Sequence, residues 1–183
     1  QLKVLQNQIN PHFLFNTLNM IASTAQIEDA DTTEKMITAL GRLFRYNLKS
    51  SDSVMPLERE LKIIQDYMYL QKMRFGQRLT FTCDCHPDTL ELLVPSFALQ
   101  PLVENSIKYG ISPRSQGGKI HIRSWMEGRR LWISVADTGL GNIYRRLHGM
   151  YKDGEMFLYS CKGCGTVVQM AFTGKDLNGK DEV

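Results

Sequence analysis

An imidazole, an amide and ammonium pair, and a carboxylate followed by spaced glycines are the side chains of this chain best suited to chemistry. The first stands in Ile9-Asn10-Pro11-His12-Phe13-Leu14-Phe15-Asn16. At about 100° per residue, His12, Asn16 and Asn19 share one helical face, and Leu14, Leu18 and Ile21 lie opposite. Before Pro11 the apolar phase differs, since Leu5 and Ile9 fall on the side that His12 occupies later. Proline removes the amide that would bond the Asn7 carbonyl, which predicts a kink there. An outward imidazole flanked by Phe13 and Phe15 can offer a ring nitrogen as a nucleophile, although His12 taken alone reads first as an inert surface histidine.

The second stretch is Leu102-Val103-Glu104-Asn105-Ser106-Ile107-Lys108-Tyr109-Gly110. Asn105 and Lys108 project from one helical face, while Leu102 and Val103 can hold that helix to a sheet. An amide oxygen ligates Mg²⁺ and an ammonium neutralises phosphate, so the pair suits a nucleotide, although taken alone the stretch reads first as a solvated polar face. The third, Asp137-Thr138-Gly139-Leu140-Gly141, ends one strand and leads towards a helix. Its carboxylate can accept from an exocyclic amine, and its glycines let backbone approach a ligand. Gly163-Cys164-Gly165-Thr166 reads as a hairpin turn, or as a device placing the Thr166 hydroxyl beside the same base.

Other chemistries lack their motifs. The chain contains no G-x-x-x-x-G-K-S/T loop, no H-R-D, no H-E-x-x-H and no G-x-S-x-G. Cys83 and Cys85 form a C-x-C, and Cys161 and Cys164 a C-x-x-C, a poor match to a zinc site; structural thiols are the better reading.

These residues must be positioned by two halves with different periods. Up to about Gly76 apolar residues recur every three or four positions, which predicts helices. One runs from residue 1 to about 25. A second opens at Asp31, with Glu34 completing a capping box, and continues through Leu48. A third follows Ser53 and Pro56, carries Leu57, Leu61, Ile64, Met68 and Phe75 on one face, and stops at Gly76. Such closely joined helices favour an antiparallel hairpin whose apolar stripe needs a partner. After Arg78 the period becomes two in Leu79-Thr80-Phe81-Thr82-Cys83, in 120–123 and in 131–135, with a turn at Glu127-Gly128-Arg129 and another strand pair over 159–172. Helices are expected over 96–109, stopped by Gly110, and over 142–149; residues 174–183 read as a frayed tail. The fold class is α+β, a sandwich with helices on one face of the sheet.

Of the 183 residues, 22 are Lys or Arg and 19 Asp or Glu, with 9 basic against 8 acidic side chains in residues 1–76. Without a basic stripe the footprint of nucleic-acid binding is missing, so no direct nucleic-acid partner is expected. No stretch reaches the ~18 consecutive apolar residues of a membrane span. The opening Gln1, already inside a helical period, suggests a piece of something longer.

Order and spacing together are more specific than any one stretch. The chain resembles the LytS-like family of sensor histidine kinases over residues 1 to about 172. Gln8-Ile9-Asn10-Pro11-His12-Phe13-Leu14-Phe15-Asn16 matches that family's phosphoacceptor box, and residues 99–110 match its N box. The resemblance implies a helical dimerisation and phosphoacceptor segment at 1–76. It implies a Bergerat-type ATP-binding domain at 77–183, with a mixed, mostly antiparallel sheet, the fold found also in gyrase and MutL. His12 becomes the phosphate acceptor, with Asn16 in the catalytic set, and Asn105 the Mg²⁺ ligand with Glu104 beside it. Lys108 and Tyr109 meet phosphates and ribose, Asp137 binds the adenine amine, Gly139 and Gly141 shape the pocket, and Thr166 supports the base. Arg145 and Arg146 are phosphate contacts or members of a solvated helix.

The implied cofactors are ATP and Mg²⁺, and the implied partners are a second copy of the chain and a response-regulator receiver domain. The implied location is the cytoplasmic side of a membrane-anchored bacterial protein, reached only through an upstream sensor region. One departure stands out. The family's mobile lid separates the D-x-G-x-G turn from a second glycine motif, whereas in Asp137 to Leu147 the two are joined. A lid supplies phosphate contacts and excludes water, so its loss predicts weakened ATP binding and transfer. A catalytically silent dimerisation or ATP-sensing module is therefore the alternative, and an ATPase of the same fold a weaker one.

Overall fold

A computed structural model describes residues 11–49, 53–138, 154–161 and 165–173. Residues 1–10 of the expected first helix, Gly139, Gly141, the helix expected over 142–149 with Arg145 and Arg146, the turn at 162–164 and the tail 174–183 lie outside the described residues. The kink expected at Pro11 falls at their edge.

Helix α1 (Pro11–Ile27) packs along α2 (Asp31–Lys49), joined by a tight reversal. Ala30 N donates to Ala25 O at 2.8 Å and Asp29 N to Gln26 O at 3.2 Å, with Asp29 at φ 54°. This is a Schellman stop with aspartate in the left-handed position, which a short polar side chain tolerates. The capping box expected at Asp31 is not formed as such. Asp31 is already helical, Glu34 N bonds the Ala30 carbonyl, and the Glu34 carboxylate accepts instead from Thr38 Oγ1 at 3.0 Å. The stripe of α1 against α2 also differs from expectation: Phe15, Leu18 and Ala22 line a groove of about 220 Å³ with Ile37 and Gly41, and Ile21 is exposed.

Between Ser53 and α3 (Leu57–Phe75) lies a short strand β1 (Val54–Pro56), which pairs antiparallel with β3 (Leu93–Pro95). Pro56 precedes the first turn of α3, and Gly76 (φ 58°) ends it by donating its N–H to Lys72 O. Leu57, Leu61, Ile64, Met68 and Phe75 face the sheet and belong to the same core as the strands, so α3 is continuous in packing with the β half.

The main sheet has the order β2-β4-β5-β7-β6. β2 (Leu79–Cys85) runs parallel to β4 (Gly118–Glu127), and all other neighbours, β5 (Arg130–Asp137), β7 (Gly165–Thr173) and β6 (Gly154–Cys161), are antiparallel. This is the mixed, mostly antiparallel sheet of an α+β fold. Its inner face is written by alternation: Ile120 and Ile122, then Leu131, Ile133 and Val135, then Val168, Met170 and Phe172 are all buried. Each such side chain removed from water contributes on the order of 1.5–3 kcal/mol. Trp125, Trp132 and Phe157 stack in a row on the opposite face, with centroids 6.1 and 5.7 Å apart.

The helix expected over 96–109 is shorter at its start and longer at its end. Residues 96–99 form a turn in which Phe97 has φ 63°; α4 (Gln100–Asn105) follows and continues as a π-helical segment, Ser106–Ile111. Gly110 therefore lies inside the segment rather than stopping it, and Ser112 N closes the last wide turn on Ile107 O at 2.8 Å. Such π turns are rare and concentrate at functional sites.

Candidate functional site

The inward stripe of β5 reads Leu131, Ile133, Val135 and then Asp137, so the alternation that buries three apolar residues carries a carboxylate to the end of the core. Asp137 is 8% exposed, and directly across the ladder stands the buried Thr166 of β7. Ser106 Oγ, itself 4% exposed, donates to Asp137 Oδ2 at 2.8 Å. A buried carboxylate needs such donors, and an ionised acceptor makes this bond stronger than a neutral one. A carboxylate has about four lone-pair positions, so it can hold the serine and accept from a ligand N–H together.

Glycines admit the backbone that builds this corner. Gly165 sits at φ 114°, and a Cβ there would collide with the Asp137 carbonyl oxygen. A Cβ on Gly118 would meet Thr138 Oγ1. That hydroxyl accepts from Lys119 N at 2.9 Å, fixing the strand end beyond Asp137.

Asn105 precedes Ser106, so the contact of Ser106 with Asp137 also sets where the Asn105 amide begins. Asn105 is half-buried, and none of the described residues bonds its side chain. Lys108 and Tyr109 are exposed, with the Lys108 ammonium 4.9 Å from the Tyr109 ring centroid. Glu104 is exposed and accepts from Gln100 Nε2 at 2.7 Å; Gln100 Oε1 is buried without a partner among the described residues. Burial and then the Glu104 charge push the Tyr67 hydroxyl up to about 12. Among the described residues no group of three or more His, Cys, Asp or Glu could by itself hold a metal. Amide and carboxylate oxygens beside a lysine nevertheless fit Mg²⁺ brought in with phosphates, since that ion is usually held by one or two protein oxygens plus phosphate and water.

His12 and Asn16 stand together on α1, both exposed. Asn16 Nδ2 is 3.4 Å from His12 Nδ1 and 3.3 Å from Nε2, so the amide straddles the ring instead of aligning with one lone pair. The structure thus gathers Asp137, Thr166 and Asn105 around one corner of the sheet, and places His12 with Asn16 on the hairpin. Gly139 and Gly141 lie outside the described residues. Ser106 was not singled out by its sequence; its signal was a small polar residue on the buried face between Val103 and Gly110.

The cysteine pair is local to β2. Cys83 and Cys85 are free thiols with sulfurs 3.6 Å apart. The hydrogen bond from Cys83 lowers the Cys85 thiol to about 7, and the same contact raises Cys83.

The family model described as Histidine kinase matches residues 1–79. The sensor histidine kinase YpdA of Escherichia coli (strain K12) is 40% identical over 142 residues, covering 77% of this chain and 25% of that protein. The sensor protein LytS of Staphylococcus saprophyticus is 33% identical over 170 residues, 92% of this chain and 28% of that protein. The chain spans about a quarter of the length of the curated relatives it matches. The histidine kinase domain of the blue-light activated kinase EL346 from Erythrobacter litoralis superposes with a TM-score of 0.51 at 16% identity, covering 89% of this chain and 93% of that one, a likeness of fold.

Proposed function

Since the chain belongs to the LytS-like sensor histidine kinases, we propose that it is a catalytic core in which His12 takes the terminal phosphoryl group of ATP and passes it to an aspartate of a response-regulator receiver domain. The observation that carries this reading is the buried Ser106–Asp137 bond at the end of β5, one residue from Asn105. Asp137 accepts from the exocyclic amine of adenine, Ser106 holds the carboxylate for that contact, and Thr166 supports the base from across the ladder. Asn105, with Glu104, offers oxygen to Mg²⁺; Lys108 neutralises phosphate charge and Tyr109 meets the ribose. Bound Mg²⁺ and ATP supply the phosphoryl group and offset its charge, leaving positioning to the protein. A His12 ring nitrogen forms the N–P bond as the bond to the bridging oxygen breaks and ADP leaves, and Asn16 steadies the ring. Gly139 and Gly141 shape the pocket by analogy with the family.

A homodimer through the hairpins completes the reading. Phe13, Met20 and Ile27, seven residues apart along α1, are 69%, 64% and 84% exposed. Thr17 and Thr24 between them turn their hydroxyls back to the Phe13 and Met20 carbonyls at 2.9 and 3.0 Å. A repeat of alternating three- and four-residue steps is a helix-pairing seam. No described helix is long and apolar enough to cross a membrane; we place the chain on the cytoplasmic side of a membrane-anchored protein by analogy with sensor kinases.

The joined glycine motifs at 137–147 favour one second reading, an ATP-sensing module without transfer. Incubation with γ-labelled ATP and Mg²⁺ separates the two, using this chain, His12→Ala and a version with an inserted lid. Acid-labile, base-stable label that His12→Ala abolishes is the expected result. Label only after lid insertion assigns the defect to the short turn, and none in any folded version refutes the kinase reading for this polypeptide.

A further inference from the structure

Glu60 on α3 is 1% exposed, yet it lies in no part of the corner described above. A carboxylate withdrawn from water persists only among donors, and an apolar residue of similar size is often no less stable in such a place. Its donors come from two separate elements. Phe97 N donates to Oε1 at 2.7 Å and Leu99 N to Oε2 at 3.1 Å, both from the turn that opens α4. The third donor is the hydroxyl of Tyr46 on α2, which bonds Oε1 and also accepts from Phe97 N at 2.8 Å. Burial, then the Glu60 bond, raises the Tyr46 hydroxyl far above the usual phenol range, so it stays a donor.

The backbone at this node is strained. Phe97 and Asp29 are the non-glycine residues with positive φ among those described. Aspartate tolerates that conformation, whereas phenylalanine holds it only where surrounding contacts enforce it. Here the enforcing contacts are the shared N–H and the Tyr46 ring, 4.4 Å from the Phe97 ring. Downstream, α4 runs without interruption to Asn105 and to Ser106 on Asp137. On the other side, α2 packs against α1 and is clamped to α3 by the paired bonds of Arg42 to Asp66, both 2.6 Å.

We propose that Tyr46 and Glu60 are positioning residues that tie the hairpin carrying His12 to the helix carrying Asn105, through the amides of Phe97 and Leu99. The inference rests on the kinase reading above and adds a dependence of transfer geometry on one hydroxyl of the hairpin. Tyr46 and Glu60 touch no substrate; they set the angle at which α4 leaves Phe97, and a shift of α2 over α3 is felt at Asn105 and Ser106.

Tyr46→Phe keeps the ring against Phe97 and removes the hydroxyl. In the ligand-free chain, amide exchange at Phe97 and across 97–111 should rise at least tenfold, with the β5 amides 131–137 changing less than twofold. Unchanged exchange at 97–111, or an equal rise in β5, overturns the proposal, the latter because it reports general destabilisation. Glu60→Gln, which keeps one oxygen acceptor, must give the same local pattern. With γ-labelled ATP and Mg²⁺, kcat for labelling His12 should fall at least tenfold in Tyr46→Phe while KM for ATP stays within threefold. A kcat within twofold of the parent chain, or a loss carried wholly by KM, also overturns it. No label on either the parent chain or its lid-inserted version refutes the kinase reading instead, and the exchange comparison still decides the coupling.

Discussion

Removing the Asp137 carboxylate tests the nucleotide corner most directly. Asp137 is buried at the end of an apolar stripe and accepts a 2.8 Å bond from Ser106. If it also accepts from the adenine amine, that contact is a hydrogen bond to an ionised acceptor away from bulk water, worth about 1.5–3 kcal/mol. At 1.4 kcal/mol per tenfold, Asp137→Ala should weaken ATP about 10- to 140-fold. Asp137→Asn keeps a neutral acceptor and should lose less, about 5- to 12-fold, because roughly 1–1.5 kcal/mol separates charged from neutral bonds. Guanine presents an oxygen where adenine presents its amine, which a carboxylate repels and an asparagine amide can satisfy, so Asp137→Asn should also narrow the preference for ATP over GTP. Titration calorimetry with each nucleotide and Mg²⁺ gives both quantities, with circular dichroism confirming the fold. An Asp137→Ala chain that is folded and binds ATP within threefold of the parent would refute the assignment.

Three further outcomes follow from particular contacts. Gly165→Ala forces a Cβ onto the Asp137 carbonyl at φ 114°, and should cost about 2–5 kcal/mol in urea unfolding from left-handed strain plus overpacking; a loss below about 1 kcal/mol would mean that β7 can retreat without consequence. Met20→Asp puts a charge in the middle of the α1 seam, and sedimentation equilibrium should show the dimer weakened at least about tenfold with unchanged thermal unfolding, whereas an undisturbed dimer would place the interface elsewhere. Alkylation by iodoacetamide needs thiolate, so the rate at Cys85 should rise with pH through an inflection at about 7. Cys83→Ala removes the donor that holds that thiol low and should move the inflection upward; an inflection that stays in place would show that Cys83 is not the cause.

Much of the scaffold was legible because its signals are local. Apolar spacing places α2 and α3, Gly76 ends α3 where a residue with positive φ is needed, and alternation marks β2, β4 and β5. The motif residues Asn105, Asp137 and Thr166 could be named from order and spacing, and the sheet brings the latter two into register as neighbours. The pairing of β1 with β3 was not legible, since three-residue strands almost forty positions apart carry no period of their own. Nor was the start of α4: residues 96–99 have helical spacing, but the Phe97 conformation is imposed by Glu60 and Tyr46 from two other helices.

Sequence alone thus determined the long helices, the alternating strands β2, β4 and β5 and the identities of the reactive side chains, because these depend on residues within one or two turns of each other. The tertiary structure decided which polar groups share a bond. Ser106 reaches Asp137 only because the π-helical segment after α4 packs against the sheet at β4 and β7, and Tyr46 meets Phe97 only because α2 and α3 pack beside the turn before α4. A buried hydrogen bond needs its partners within about 3 Å, and that distance is set by how whole elements pack, a property that no local pattern of residue types records.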